Sequence, residues 1–124
     1  MAEPARPPPP EVLAEPDRYF MEWIPEQLAP HPAFAAKLGG AGEIAQIELA
    51  GDRGGVWHFV LAEQRVAVGR GVHAKPSFVI AMSVETWRDL ALGKIGVAGA
   101  WVRRKIKTRG SLRAMMRVGK LFNE

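Results

Sequence analysis

The sequence predicts an α+β fold in which helices cover one face of a five-stranded, mostly antiparallel sheet. Apolar residues alternate with period two over the middle of the chain and again near residue 106, whereas helical spacing dominates towards both ends. The strands cluster instead of alternating strictly with helices, which favours α+β over a parallel α/β sheet. The chain has 124 residues, 48% of them hydrophobic, which is typical of one globular domain.

Prolines dominate the N-terminal end. Eight of the ten prolines lie within the first 30 residues, and the run Pro7–Pro10 favours extended polyproline II. We therefore expect residues 1–15 to form a disordered, proline-rich leader and residues 16–124 to form the folded domain.

Two helices are expected before the sheet. Pro16 and Asp17 suit a first helical turn, and apolar residues repeat at helical spacing up to Leu28. Pro25 interrupts this pattern and predicts a break or kink near Trp23. A second, short helix is predicted over residues 32–38, ended by two glycines.

Four strands follow. Residues 47–49, 57–61 and 66–68 alternate between apolar and other side chains, and turn-forming residues separate them, so they predict a three-strand antiparallel meander. Residues 78–82 form a fourth strand. Both of its faces are apolar, which predicts a central strand covered on both sides.

The C-terminal third returns to helices around one more strand. Ser83 is a suitable N-cap for a helix over 84–92, and a short helix is expected over 97–102. Residues 103–109 predict a strand with one strongly basic face. Ser111 caps a last helix that reaches Phe122. One side of this helix carries Leu112, Met115, Met116, Gly119 and Phe122.

Positive charge is concentrated at the C-terminal end. Residues 103–124 contain eight Lys or Arg and one acid, whereas the rest of the chain has a small negative balance. Such a surface suits an anionic membrane, nucleic acid or an acidic partner, although it is most often a solvated face. Nucleic acid is disfavoured because the strand aromatics Trp57, Phe59 and Phe78 are spaced as a buried face and not as a stacking platform.

The sequence offers little catalytic chemistry. The absence of cysteine excludes disulfides, thiolate metal sites and thiol nucleophiles. Ser83 and Ser111 are explained as caps, and Ser77 follows a proline in a loop. The three histidines show no metal-ligand spacing. We predict no enzyme, metal or cofactor. With no signal-like or membrane-spanning segment, we expect a cytoplasmic location.

Several segments together resemble the sterol-carrier protein type 2 lipid-transfer family. Ile80–Trp87 reads I-A-M-S-V-E-T-W, which is similar to that family's I-x-M-S-x-E-x-[FW]. It is followed in the family's order by L-A-L-G-K at residues 90–94 and K-I-K-T-R-G at residues 105–110. A tryptophan-bearing strand precedes them, and a methionine-rich helix ends the chain. The composition, rich in Ala, Arg, Gly and Pro, is typical of a bacterial member.

This resemblance implies an apolar tunnel between sheet and helices that binds fatty acids, acyl-CoA, phospholipids or sterols without catalysis. Arg104 stands where the family often has a glycine, and it is a possible contact for a lipid headgroup. The tunnel-lining residues that the resemblance implies are Trp57, Phe59, Phe78, Ile80, Met82, Trp87, Leu90, Trp101, Ile106, Leu112, Met115 and Met116.

The predicted function is therefore non-catalytic binding and transfer of a long-chain lipid, with transient contact between the basic C-terminal face and anionic membranes. The alternative is a fully packed interaction module that serves a lipid or quinone enzyme assembly and has no ligand of its own.

Overall fold

A computed structural model describes residues 8–122 and contains one five-stranded sheet with helices packed on it. The strands are β1 (Glu43–Ala50), β2 (Gly55–Ala62), β3 (Arg65–Arg70), β4 (Phe78–Ser83) and β5 (Ile106–Gly110). The α-helices are α1 (Pro10–Leu13), α2 (Pro16–Arg18), α3 (Ile24–Leu28), α4 (Pro32–Gly39), α5 (Val84–Ala91), α6 (Val97–Val102) and α7 (Leu112–Phe122). A π-helical segment, Tyr19–Trp23, joins α2 to α3.

The sheet has the strand order β3-β2-β1-β4-β5. The β1, β2 and β3 strands form the predicted antiparallel meander, and β5 pairs antiparallel with β4. The pairing of β1 with β4 is parallel, because the chain crosses from edge strand β3 to the far side of β1. The mostly antiparallel sheet predicted from the alternating pattern is thus confirmed, with one parallel pair at its centre.

The two faces of the sheet are covered differently. The helices pack on the inner face, whereas the β3–β4 connection, residues 71–77, crosses part of the outer face. There the His73 backbone N–H donates to the Gln46 side chain at 2.9 Å, and the His73 ring lies edge-on to His58. Gln46 is consequently only 2% exposed, and its neighbour Val79 on β4 is also buried.

The N-terminal part differs from the prediction in two ways. Part of the expected leader is helical: α1 begins at Pro10, where a first-turn proline loses no hydrogen bond, and Val12 is buried. Residues 1–7 of that leader lie outside the described residues. The helix also continues past Pro25 without a break, and the irregularity predicted near Trp23 takes the form of a π-helical segment, with an Ile24 N–H to Tyr19 carbonyl bond.

The basic strand is shorter than predicted. Residues 103–105 form a turn after α6, and only residues 106–110 pair with β4. The Arg104 N–H donates to the Trp101 carbonyl and the Lys105 N–H to the Ala100 carbonyl, while Arg104 has a φ of +59°. This is the Schellman arrangement that ends many helices. It explains why alternation along residues 103–105 does not represent a strand.

The buried side of α7 is rotated from the predicted one. Ala114 and Val118 are buried, whereas Leu112 and Met116 are 53% and 66% exposed. The Arg117 side chain donates to Glu43 at 2.7 Å. The helix therefore packs on the α4–α7 side mainly through Ala114 and Val118, with Met115 partly buried beside them, and leaves Leu112 and Met116 outside.

Two groups of buried residues occupy the inner face. The α4–α7 cluster consists of Leu38, Ala45, Leu61, Phe78, Ala114 and Val118. The aromatic cluster consists of Phe20, Leu49, Trp57, Val84 and Trp87. Phe59 packs against both clusters, so it marks the boundary between them.

Candidate functional site

A partly open apolar cavity of about 250 Å³ lies on the inner face, where the two buried clusters meet. Strands β1, β2, β3 and β4 form its floor, and α3, α4 and α7 contribute its walls. Its lining consists of Ile24, Gln27, Leu28, Leu38, Ala45, Ile47, Phe59, Leu61, Val66, Phe78, Ile80 and Val118.

The centre of the cavity floor is a small residue between two large ones. Ala45 on β1 is the register partner of Phe59 on β2 and of Phe78 on β4. All three side chains point to the inner face and line the cavity. A methyl group between two phenyl rings leaves space above it that neighbouring side chains do not fill. The sequence therefore creates the cavity by placing alanine at this position.

The wall formed by α3 is held in place by a carboxylate on α2. The Asp17 carboxylate accepts a hydrogen bond from the Trp57 indole N–H at 3.0 Å. It also accepts two hydrogen bonds from the Arg70 guanidinium, at 2.7 and 2.9 Å. These hydrogen bonds lower the pKa of the Asp17 carboxyl below its usual value. The bonds from Arg70 contribute most to this shift, and the bond from Trp57 contributes next. Asp17 thus connects the first helices to β2 and β3 and fixes where α3 lies over the sheet.

The surface of the cavity is suited to an alkyl chain. The lining side chains are apolar except for Gln27, and the surface that faces the cavity is apolar throughout. Apolar cavities of this kind stay dry and take apolar guests. The site can therefore sequester hydrocarbon, and the described residues that line it include no acid, histidine, serine or lysine.

The three serines act as structural hydrogen-bond acceptors. The Ser83 hydroxyl accepts from the Thr86 N–H and caps α5, and the Ser111 hydroxyl accepts from the Ala114 N–H at the start of α7. Both predicted caps are confirmed. The Ser77 hydroxyl accepts from the Ile44 N–H and closes the junction between β1 and β4. Among the described residues, no group of three or more histidines or acids is arranged to hold a metal ion.

The structure brings only part of the predicted site together. Three of the predicted residues line the cavity: Phe59, Phe78 and Ile80. Six others are buried or half-buried but do not line the cavity: Trp57, Met82, Trp87, Leu90, Ile106 and Met115. The remaining three are exposed to solvent: Trp101, Leu112 and Met116.

Most residues of the helical wall, and Ala45 at the centre of the floor, were not among the predicted site residues. Ile24 and Leu28 belong to the helical apolar repeat that the sequence shows, but they were not predicted as tunnel-lining residues. Ile47 was visible as an inward strand residue. Ala45 gave no signal, because a small side chain in a strand has no pattern that distinguishes a packed position from a cavity floor.

A second depression lies on the outer face of the sheet. It is a shallow groove of about 530 Å³ at the end of the sheet near Ala50 and Ser83. Arg104, Lys105 and Lys107 line it together with the acidic residue Glu48. The structure therefore places Arg104 in the outer groove, and Arg104 is not among the residues that line the cavity.

The acid in this groove is already neutralised. Arg109 donates to both oxygens of Glu48, at 3.4 and 3.0 Å, and Gln46 donates to it at 3.0 Å. The hydrogen bond from Arg109 is the main cause that lowers the pKa of Glu48 below its usual value. Among the described residues that line the groove, no unpaired acid competes for its three cations.

Comparison with known families gives one match over most of the chain. The model of the SCP-2 sterol transfer family matches residues 24–123. No curated protein matches the sequence significantly. Within the described residues, no helix has the length and apolar character that crossing a membrane requires.

Solved structures share the fold at low sequence identity. The sterol carrier protein domain 2 of Helicoverpa armigera is 20% identical, with a TM-score of 0.68 over 94% of this chain and 91% of that one. The palmitated SCP2L2 of Aedes aegypti is 17% identical, with a TM-score of 0.59 over 83% and 94%. A ubiquinone synthesis protein, UbiJ-SCP2, is 14% identical, with a TM-score of 0.53 over 92% and 95%.

Proposed function

The chain belongs to the SCP-2 sterol transfer family, and on that premise we propose that it binds one long-chain lipid in its apolar cavity and transfers it without catalysing a reaction. The observation that carries this proposal is the cavity itself, which is lined mainly by the α4–α7 cluster and reaches the aromatic cluster at Ile47 and Phe59. A fully packed module would have no such space. The structure of SCP2L2 from Aedes aegypti, which shares the fold, is of the palmitated protein, and this likeness supports lipid binding by the present chain.

The volume of the cavity sets the expected ligand. A cavity of about 150 Å³ accommodates the six carbons of benzene, so the 250 Å³ here corresponds to about ten carbons. A fatty acid, acyl-CoA or phospholipid would place the inner part of one alkyl chain there. The headgroup and the rest of the chain would lie towards the open side of the cavity. The affinity should therefore depend more on the length of the alkyl chain than on the identity of the headgroup.

Among the predicted site residues, Phe59, Phe78 and Ile80 are proposed to contact the ligand directly. The buried residues next to them, such as Trp57 and Met115, are proposed to shape the walls. The basic C-terminal face is proposed to meet anionic membranes during transfer, and the protein is proposed to work in the cytoplasm.

Displacement of a fluorescent fatty acid by saturated fatty acids of increasing length tests this function. We expect saturable binding of one ligand per chain. Each added methylene should tighten binding about fourfold, the factor that corresponds to roughly 0.8 kcal/mol, until the chain reaches about ten carbons. Absence of saturable displacement at every chain length would contradict the proposal.

A second candidate function is that of an accessory module in a lipid or quinone enzyme assembly. The likeness to UbiJ-SCP2, named as a ubiquinone synthesis protein, favours it. Native mass spectrometry of the gently purified chain separates the two functions. The carrier function predicts a bound mass in the lipid range, whereas the accessory function predicts a ligand-free chain that also fails the displacement assay.

A further inference from the structure

We propose that residues 97–107 form a docking face for anionic lipid bilayers, with the apolar side chains of α6 entering the interface and the groove cations contacting lipid phosphates. This inference rests on the proposed function, because docking would serve lipid exchange. The vesicle-binding assay that tests the docking face does not depend on the cavity, since the groove and the cavity lie on opposite faces of the sheet.

The first observation is an unpartnered apolar surface on α6. Val97, Trp101 and Val102 are 66%, 50% and 83% exposed, although the helix has only six residues. Ala100 is fully buried and fixes the opposite side of the helix against the protein. Single exposed apolar residues are ordinary, but a cluster of this kind marks an interaction surface. Tryptophan in particular is enriched where proteins meet the membrane interface.

The second observation is unbalanced positive charge directly beside α6. Arg103, Arg104, Lys105 and Lys107 are all exposed, and none has an ion pair with any residue that the structure describes. The sequence contains no acid between Asp89 and Glu124. The one acid that lines the groove, Glu48, is held by Arg109.

The third observation is that Arg104 occupies a backbone position that favours glycine. Its φ of +59° places it in the left-handed region at the end of α6. Glycine is the usual residue there, because a Cβ atom is disfavoured in this conformation. Arg104 is therefore a cation at a turn position that an uncharged glycine would suit, and it adds its charge to the groove. The guanidinium lines the groove, where it is available to an anion.

A bilayer fits these three features better than the other anionic partners. An acidic peptide or a nucleic acid would neutralise the cations but would leave the aliphatic side chains Val97 and Val102 in water. An anionic membrane takes both kinds of group, because its phosphates meet the cations and its interfacial zone takes the apolar side chains.

Flotation of the full chain with vesicles tests the proposal. One set of vesicles contains phosphatidylcholine alone, and the other contains phosphatidylcholine mixed with phosphatidylglycerol. We expect partitioning onto the mixed vesicles that weakens with added salt. Arg104→Gly should reduce it about fivefold, and Trp101→Ala should reduce it about tenfold.

Arg104→Gly distinguishes docking from a structural role, because its two expected effects have opposite signs. Glycine suits the left-handed turn, so the unfolding midpoint in urea should stay the same or rise while vesicle binding falls. Arg65→Gln is the charge-matched control. It removes one exposed cation from β3, at the opposite edge of the sheet, and should leave binding unchanged.

Three results would overturn the proposal: equal binding to both vesicle types, equal loss in Arg104→Gly and Arg65→Gln, or binding to polyglutamate or single-stranded DNA without binding to vesicles. Fatty-acid displacement, measured on the same proteins, keeps the two proposals apart. Vesicle binding without displacement would contradict the carrier function alone, and displacement without vesicle binding would contradict the docking face alone.

Discussion

Filling the cavity from its floor is the sharpest test of the carrier function. Ala45 lies between Phe59 and Phe78 in the sheet register, and its methyl group faces the cavity. The substitution Ala45→Phe adds six ring carbons at this point. On the scale set by benzene, six carbons need about 150 Å³, which is more than half of the 250 Å³ available.

The expected loss of affinity follows from the hydrocarbon that the new ring displaces. If six carbons of the ligand lose their contacts with the cavity, the binding free energy weakens by up to about 5 kcal/mol, at roughly 0.8 kcal/mol per methylene. This corresponds to an increase of more than about a thousandfold in the dissociation constant. The free energy of unfolding should change by less than the ~1–3 kcal/mol that overpacking of a filled core costs, because the ring enters space that already exists.

Fluorescent fatty-acid displacement and urea unfolding measure these two effects on the same protein. Ala67→Phe is the matched control, because it adds the same ring to β3 at an exposed position. It should leave affinity unchanged. A loss of less than about threefold in Ala45→Phe, in a protein that unfolds like the wild type, would refute the reasoning that the ligand occupies this cavity.

Three further predictions concern the stability of the fold. Asp17→Asn should lower the free energy of unfolding at neutral pH, because it removes the carboxylate that Arg70 binds. The bond to Arg70 favours the ionised form of Asp17, so the difference from wild type should shrink as pH falls through the lowered pKa of this carboxyl. Urea unfolding as a function of pH measures this difference. Ser83→Ala should cost about 1 kcal/mol of unfolding free energy through loss of the α5 cap. Gly39→Ala should cost about 1–3 kcal/mol in thermal unfolding, because a Cβ there would clash with the Arg65 backbone of β3. Gly40→Ala, whose Cβ would have its nearest contacts at 3.4 Å, should cost little in the same experiment.

Much of the fold was predictable because local chemistry and tertiary packing favour the same structure. Alternation over residues 57–61 and 66–68 coincides with strands that bury one face, and the two-residue connection Glu63–Gln64 forms a tight hairpin. The caps at Ser83 and Ser111 depend on the side chain and the next few backbone N–H groups, so they can be derived from sequence alone.

The cavity was less predictable, since a space depends on how several elements approach one another. The methionines of α7 indicated an adaptable apolar lining, but the helix packs through Ala114 and Val118, and Met116 remains exposed. The turn at Arg104 was hidden for a different reason. Alternating basic residues look like a strand, and only the helix-ending hydrogen bonds after α6 show that the strand begins at Ile106.

The connection between β3 and β4 explains why the two proposed surfaces lie on opposite faces of the sheet. Because β4 pairs in parallel with β1, the chain must pass from the edge strand β3 across the sheet, and it does so over the outer face near Gln46. That crossing covers one half of the outer face and leaves the half near Ala81 open beside the groove cations. The helices then occupy the inner face, where the cavity lies. Arg104 therefore lies on the face opposite the cavity, so we expect single substitutions to change the proposed lipid binding and the proposed membrane docking independently.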